Sequence, residues 1–264
     1  MIDFEKKSSY GVEDLREIVR ILRAPGGCPW DREQDHHSIR RNLLEEAYEA
    51  AEAIDEGNPE HLQEELGDVL LQVVFHARME EEQGGFDLDD VADGICKKLI
   101  YRHPHVFGDV TVSGSGEVLQ NWEELKKREK HQTTAADSVD SVARSLPGLW
   151  RAEKIQKKAA KVGFDWPDVS GALEKLREEA GELEEAVLED TNVAEELGDL
   201  LFAAVNVARF VKVDPEDALS VACDKFARRF RQVEASAAAQ GKTLDEMTLA
   251  EMDRFWDEAK KQEA

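Results

Sequence analysis

The sequence predicts an all-α fold, a tandem repeat of two helical-bundle domains, on three observations. Apolar residues recur at three- and four-residue spacing from Val12 to Leu22, Leu43 to Ile54 and Leu62 to Met79, the period of one helix face. Strand-like alternation is nearly absent. The chain also repeats itself: LLEEAYEA from Leu43 resembles LREEAGEL from Leu176, and EELGDVLLQVVFHAR from Glu64 resembles EELGDLLFAAVNVAR from Glu195. Further echoes keep the same order, Cys28-Pro-Trp30 with Phe164-Asp-Trp166, Lys98 and Arg102 with Lys225 and Arg229, and the Trp122 helix with the Trp256 helix. Two homologous domains follow.

Taken in order, the elements are bounded by helix chemistry. Asn58-Pro59 and Asp214-Pro215 read as a cap followed by proline at the first helical position. Gly84-Gly85 ends a helix, and GDVTVSGSGE from Gly108 reads as a polar loop. Between Glu129 and Pro147 apolar periodicity gives way to Thr, Ser, Ala and Asp, which predicts domains at 1–130 and 147–264 joined by a linker at 131–146. LEDTN from Leu188 holds residues that stop one helix and cap the next, so its flanking helices should fold back antiparallel. Thr243 with Glu246 and Thr248 with Glu251 read as capping boxes.

Composition narrows the function classes. A formal charge of −24 over 264 residues argues against nucleic acid or an anionic membrane as the main partner. Cys28, Cys96 and Cys223 form no CxxC and no Cys/His cluster, and their odd number gives no disulfide framework. No apolar run approaches the ~20 residues of a bilayer span, and MIDFEKKSSY has no signal-peptide pattern. A reducing cytoplasm is the expected location.

The chemistry concentrates between Lys175 and Asp199. Glu179 and Glu182 are three residues apart, as are Glu196 and Asp199, so each pair shares one helix face about one turn apart. Across the hairpin four carboxylates would converge beside a mostly apolar stripe that includes Ala203, Asn206 and Val207. Burying them together requires protonation, basic partners or bound cations, and hard oxygen ligands favour Mg²⁺ or Mn²⁺. The bland alternative for any one such pair is a solvated acidic face. The first repeat carries the same set as Glu46, Glu49, Glu65 and Asp68, with Phe75 where the second has Asn206 and His76 where it has Val207. Lys225, Arg228 and Arg229 lie within about one turn, where they would meet phosphate oxygens or balance nearby acids. Lys175 can reach a phosphate too. Trp256 would stack on a base or belong to the core.

EExxE followed by ExxD across a helical hairpin resembles the MazG family of nucleoside triphosphate pyrophosphohydrolases. The resemblance extends through GGCPWDREQDH from Gly26, RHPHVFGD from Arg102, LPGLWRAEKIQKKAAKVGFDW from Leu146 and both EELGD segments. It implies tandem MazG domains, usually dimeric, that hydrolyse nucleoside triphosphates to the monophosphate and pyrophosphate with Mg²⁺. It implies Glu179, Glu182, Glu196 and Asp199 as metal ligands, and Lys175, Leu176, Arg177, Glu178, Glu179, Lys225, Arg228, Arg229 and Trp256 as nucleotide contacts. Glu178, not required as a ligand, is the expected general base, and the second domain the expected catalytic one. Two rivals belong to other classes. A di-iron bundle needs Glu-x-x-His twice, and the single match, Glu33 to His36, lies outside both acidic pairs. An acidic, non-catalytic interaction module would keep the helices without turnover.

Overall fold

The computed structural model describes residues 4–129 and 133–263, and no strand occurs among them. The chain divides into two compact units, Met1–Lys126 and Lys127–Ala264. In the first, the helices are α1 (Val12–Arg23), α2 (Pro29–Glu33), α3 (Arg40–Glu56), α4 (Pro59–Glu82), α5 (Leu88–Arg102), α6 (Pro104–Phe107) and α7 (Ser115–Glu129). Helix α3 ends at Gly57 in the left-handed region, and Asn58 caps α4 by accepting from the Glu60 and His61 N–H groups. That tight connection folds α3 and α4 into an antiparallel pair, and α1 packs on α4. Val19, Ile39, Val74, Phe75 and Met79 form the core between them. Each such side chain taken fully out of water contributes roughly 1.5–3 kcal/mol.

The second unit holds α8 (Ala135–Asp140), α9 (Gly148–Ala160), α10 (Val169–Glu189), α11 (Val193–Val211), α12 (Pro215–Ala239) and α13 (Leu249–Gln262). Helices α10 and α11 pair as α3 and α4 do, with α9 against α11 and α12 against α13. Asp190, at φ 53°, takes the turn that Gly57 takes in the first unit. Asp214 caps α12 as expected and also accepts from the Trp150 indole at 3.0 Å, fastening the start of α9 to the start of α12. A second core of Val233, Ala237, Met247 and Phe255 joins α12 to α13. The Thr248–Glu251 capping box starts α13, whereas Thr243 and Glu246 bracket a single 3₁₀ turn.

The stretch 131–146, expected as a linker, carries a helix: residues 133–134 lead into α8, which packs on α9, with Lys158 Nζ donating to Ser138 Oγ at 3.0 Å and Val142 buried. Residues 131 and 132 lie outside the described residues. The Thr134–Asp137 capping box, overlooked among the small polar residues, is the local reason for the helix. No helix among the described residues is long and apolar enough to cross a membrane.

Candidate active site

Helix α10 buries Ala172, Glu179 and Ala186, spaced by seven, so Glu179 lies in the middle of its inward stripe. It is 5% exposed. Helix α11 brings Glu196 and Asp199 alongside, and one oxygen from each of Glu179, Glu196 and Asp199 lies within 4.8 Å of the others. Lys175, one turn before Glu179, sets its ammonium 2.6 Å from Glu179 Oε1 and 2.8 Å from Glu178 Oε1. Those two bonds, Glu178's first, raise the lysine well above its ordinary pKa. Asn192, in the stretch expected to stop one helix and cap the next, sits at the N-cap position of α11. Its side chain makes no cap bond and donates instead to Glu196 Oε1 at 2.5 Å, holding that carboxylate in place.

Glu182 is not one of the three that meet within this limit. Three residues on from Glu179 it turns off the buried stripe and is exposed, yet partial burial first, and the Glu179 charge next, raise its carboxyl pKa. Three convergent carboxylates against one ammonium leave a local charge of about −2. The donors are all hard oxygens. The site therefore fits a divalent cation such as Mg²⁺ or Mn²⁺.

The triad opens on a cavity of about 640 Å³, whose wall includes Lys175, Glu179 and Asp199 at the acidic end. Phe164, Trp166 and Phe202 supply aromatic wall, and Gln156 and Asn206 supply amides. Asn206 was singled out by its contrast with Phe75, and it does line the cavity. Several wall residues were not foreseen. Arg209 clamps the loop after α9 by donating from Nη1 and Nη2 to Asp165 at 2.8 and 2.5 Å. Its Nε and Nη2 also donate to Asn206 Oδ1, at 2.9 and 2.6 Å. Hydrogen bonding to Arg209 holds the Asp165 carboxyl below the usual range, against the opposing effect of burial. The available signal for Arg209 was its echo of Arg78 in the repeat. For Gln156 it was a polar residue on the inward face of α9, between Leu149, Ala152 and Ala159.

Of the expected nucleotide contacts, Lys175 and Glu179 line the cavity, while Leu176, Arg177, Glu178, Lys225, Arg228, Arg229 and Trp256 do not. Glu178 is exposed and faces Lys175. Arg228 and Arg229 both pair with Glu263 at 2.6 Å. Trp256 packs on the α12–α13 core, 5.0 Å from the Phe226 ring and beneath the Arg229 guanidinium at 5.9 Å. The same pairing occurs in the first unit, where Arg102 lies 5.1 Å over Trp122.

The first unit gathers Glu46, Glu49 and Glu65 within the same 4.8 Å limit. Burial, then the Asp68 and Glu49 charges, raises the Glu46 pKa. The counter-group here is His61, 3.2 Å from Glu65. Phe75, at the position of Asn206, is buried in the core under the Arg23 guanidinium.

The family model described as the MazG nucleotide pyrophosphohydrolase domain matches residues 34–107 and 169–234. Over 255 residues the chain is 44% identical to the nucleoside triphosphate pyrophosphohydrolase/pyrophosphatase MazG of Thermotoga maritima, covering 97% of this chain and 98% of that one. It is also 44% identical over 257 residues to the nucleoside triphosphate pyrophosphohydrolase of Escherichia coli, covering 96% and 98%. An uncharacterized protein of Bacillus subtilis, YabN, is 50% identical over 262 residues, and the chain spans 53% of its length.

Proposed function

The chain belongs to the MazG nucleotide pyrophosphohydrolase family, and we propose that it hydrolyses a nucleoside triphosphate to the monophosphate and pyrophosphate on the α10–α11 hairpin. The observation that carries this reading is the joining of the carboxylate triad to a cavity of about 640 Å³, a size suited to a small organic ligand. Glu179, Glu196 and Asp199 would hold Mg²⁺ or Mn²⁺, with Glu182 the fourth carboxylate within one turn. When bound, the ion supplies charge neutralisation on the phosphoryl oxygens and lowers the pKa of water. Lys175 meets a phosphate oxygen. Glu178, held beside it at 2.8 Å, is the proposed base for water attacking the α-phosphorus. Phe164, Trp166 and Phe202, which line the cavity, would face the nucleoside.

A homodimer goes with this reading. Leu197 and Leu201, one turn apart on α11, are exposed, apolar side chains that a second copy would cover. Lys225, Arg228 and Arg229 of α12, which do not line the cavity of their own chain, are the proposed partners of the leaving pyrophosphate. The cytoplasm is the proposed location, supported by three unpaired cysteines.

The test is turnover of the common nucleoside triphosphates with Mg²⁺, using separate assays for pyrophosphate and orthophosphate. Pyrophosphate is expected. Stoichiometric orthophosphate without added pyrophosphatase overturns the reaction, and no turnover of any nucleotide returns the chain to the interaction-module reading. Paired variants locate the chemistry: Glu179→Ala with Asp199→Ala should abolish release, and Glu46→Ala with Asp68→Ala should spare it. The opposite result moves the active site to the first unit.

A further inference from the structure

The cavity carries a polar group that the phosphate chemistry does not use. Gln156 is 6% exposed and reaches into the wall from α9. Its Nε2 donates to the Phe202 carbonyl at 2.8 Å. A carbonyl oxygen accepts only from the NH₂ end, so this bond fixes the amide and leaves Oε1 as its free acceptor. That oxygen is buried and has no hydrogen-bond partner among the described residues. A buried acceptor left unpaired is costly, on the order of 1–3 kcal/mol. Asn206 is fixed in the opposite sense. Its Oδ1 accepts twice from Arg209, which leaves Nδ2 as its donor end. One wall therefore presents an acceptor and another a donor, among Phe164, Trp166 and Phe202.

The internal repeat serves as a control. Val19 and Gln156 each lie seven residues before a left-handed glycine: 19 to 26, with Gly26 at φ 87°, and 156 to 163, with Gly163 at φ 85°. Counted back from these glycines, one residue out of the register of the Cys28 and Phe164 echo, buried Val19 of α1 answers buried Gln156 of α9. Val19 and Phe75 belong to one dry core cluster. In the second unit the residues at these places line the cavity instead.

We infer that Gln156 reads the nucleobase, its Oε1 accepting from an N–H on the base edge while Asn206 Nδ2 donates to the neighbouring base acceptor. The inference rests on the nucleotide reading above. The edges of adenine, cytosine, guanine and uracil each place an N–H beside an acceptor, so all four can enter. A base without an N–H leaves Oε1 unpaired and is rejected.

The experiment compares kcat/KM for pyrophosphate release within two substrate pairs, ATP against purine riboside triphosphate, which lacks the exocyclic amine, and UTP against N3-methyl-UTP. The full-length wild type should favour the N–H-bearing member of at least one pair by about tenfold or more. Gln156→Met, close in volume but without the acceptor, should bring that ratio towards one. A merely structural role would lower both members alike and leave the ratio unchanged. If Gln156→Met does not fold, Gln156→Asn, which draws the amide back by one methylene, is held to the same criterion. Equal wild-type values in both pairs, or a ratio preserved in a folded variant, overturn the inference while pyrophosphate release keeps the proposed function. No release from any nucleotide overturns both.

Discussion

Gly171 offers a sharp perturbation of the cavity wall. A Cβ at this position would lie 2.3 Å from Trp166 Cδ1, 2.5 Å from Cγ and 2.9 Å from Nε1. Ordinary contact begins near 3.4 Å, so Gly171→Ala drives the ring back by roughly 1 Å or more. Two energies oppose. Alanine improves a helix by up to about 1 kcal/mol over glycine, and overpacking costs about 1–3 kcal/mol. Trp166 is 39% exposed, so it can swing towards solvent and escape much of the overpacking. Net stability in urea unfolding should therefore change by less than about 1 kcal/mol. The wall moves nonetheless, and KM for pyrophosphate release should rise severalfold. The same substitution in a Trp166→Ala background isolates the helix gain, because no ring is left to displace. If Gly171→Ala raises stability by the full helix gain and leaves KM unchanged, the Trp166 seat has no part in the cavity.

Asn192→Ala releases Glu196 and should raise the Mg²⁺ concentration for half-maximal activity by about tenfold, as losses behind a ligand do; an unchanged metal titration would reduce the bond to a packing detail. Asp165 has a depressed folded pKa, so its stabilisation is fully present above the ordinary value near 3.9 and is lost as pH falls through the lower folded value. The stability gap between wild type and Asp165→Asn, from urea unfolding, should hold steady above about pH 5 and narrow below about pH 4; a gap constant to pH 3 would remove Arg209 as its cause. Trp256→Ala should cost about 2 kcal/mol, below the figure for a fully buried tryptophan because the residue is only partly buried, with KM unchanged. A raised KM at undiminished stability would instead put that ring on the nucleotide.

Much of this architecture is local and was therefore legible. The Asn-Pro and Asp-Pro starts and the Thr248–Glu251 box depend on neighbours within one turn, and they stand where expected. The repeat supplied the two units without any distance being known. What sequence alone missed depends on partners far apart in the chain. Arg209 finds Asp165 at a separation of 44 residues, and Gln156 finds Phe202 at 46; neither pairing leaves a local pattern. Rotation about a helix axis decided another point, turning Glu182 outward while Glu179 faces inward. Asn192 shows competition between local roles. Its spacing to Glu196 matches a side-chain bond as well as its position matches a cap, and the carboxylate wins.

Lys175 carries a consequence for how the protein is assembled. By supplying its own ammonium to Glu179 at 2.6 Å, the chain gives this buried carboxyl a partner without outside help. Folding of the α10–α11 hairpin is then independent of metal supply, unlike small domains whose ligands stay disordered until an ion arrives. A chelator should silence such a protein and leave its helices standing. A cation bound there as proposed would meet a resident competitor, so the site would behave as a socket formed in advance and readily emptied.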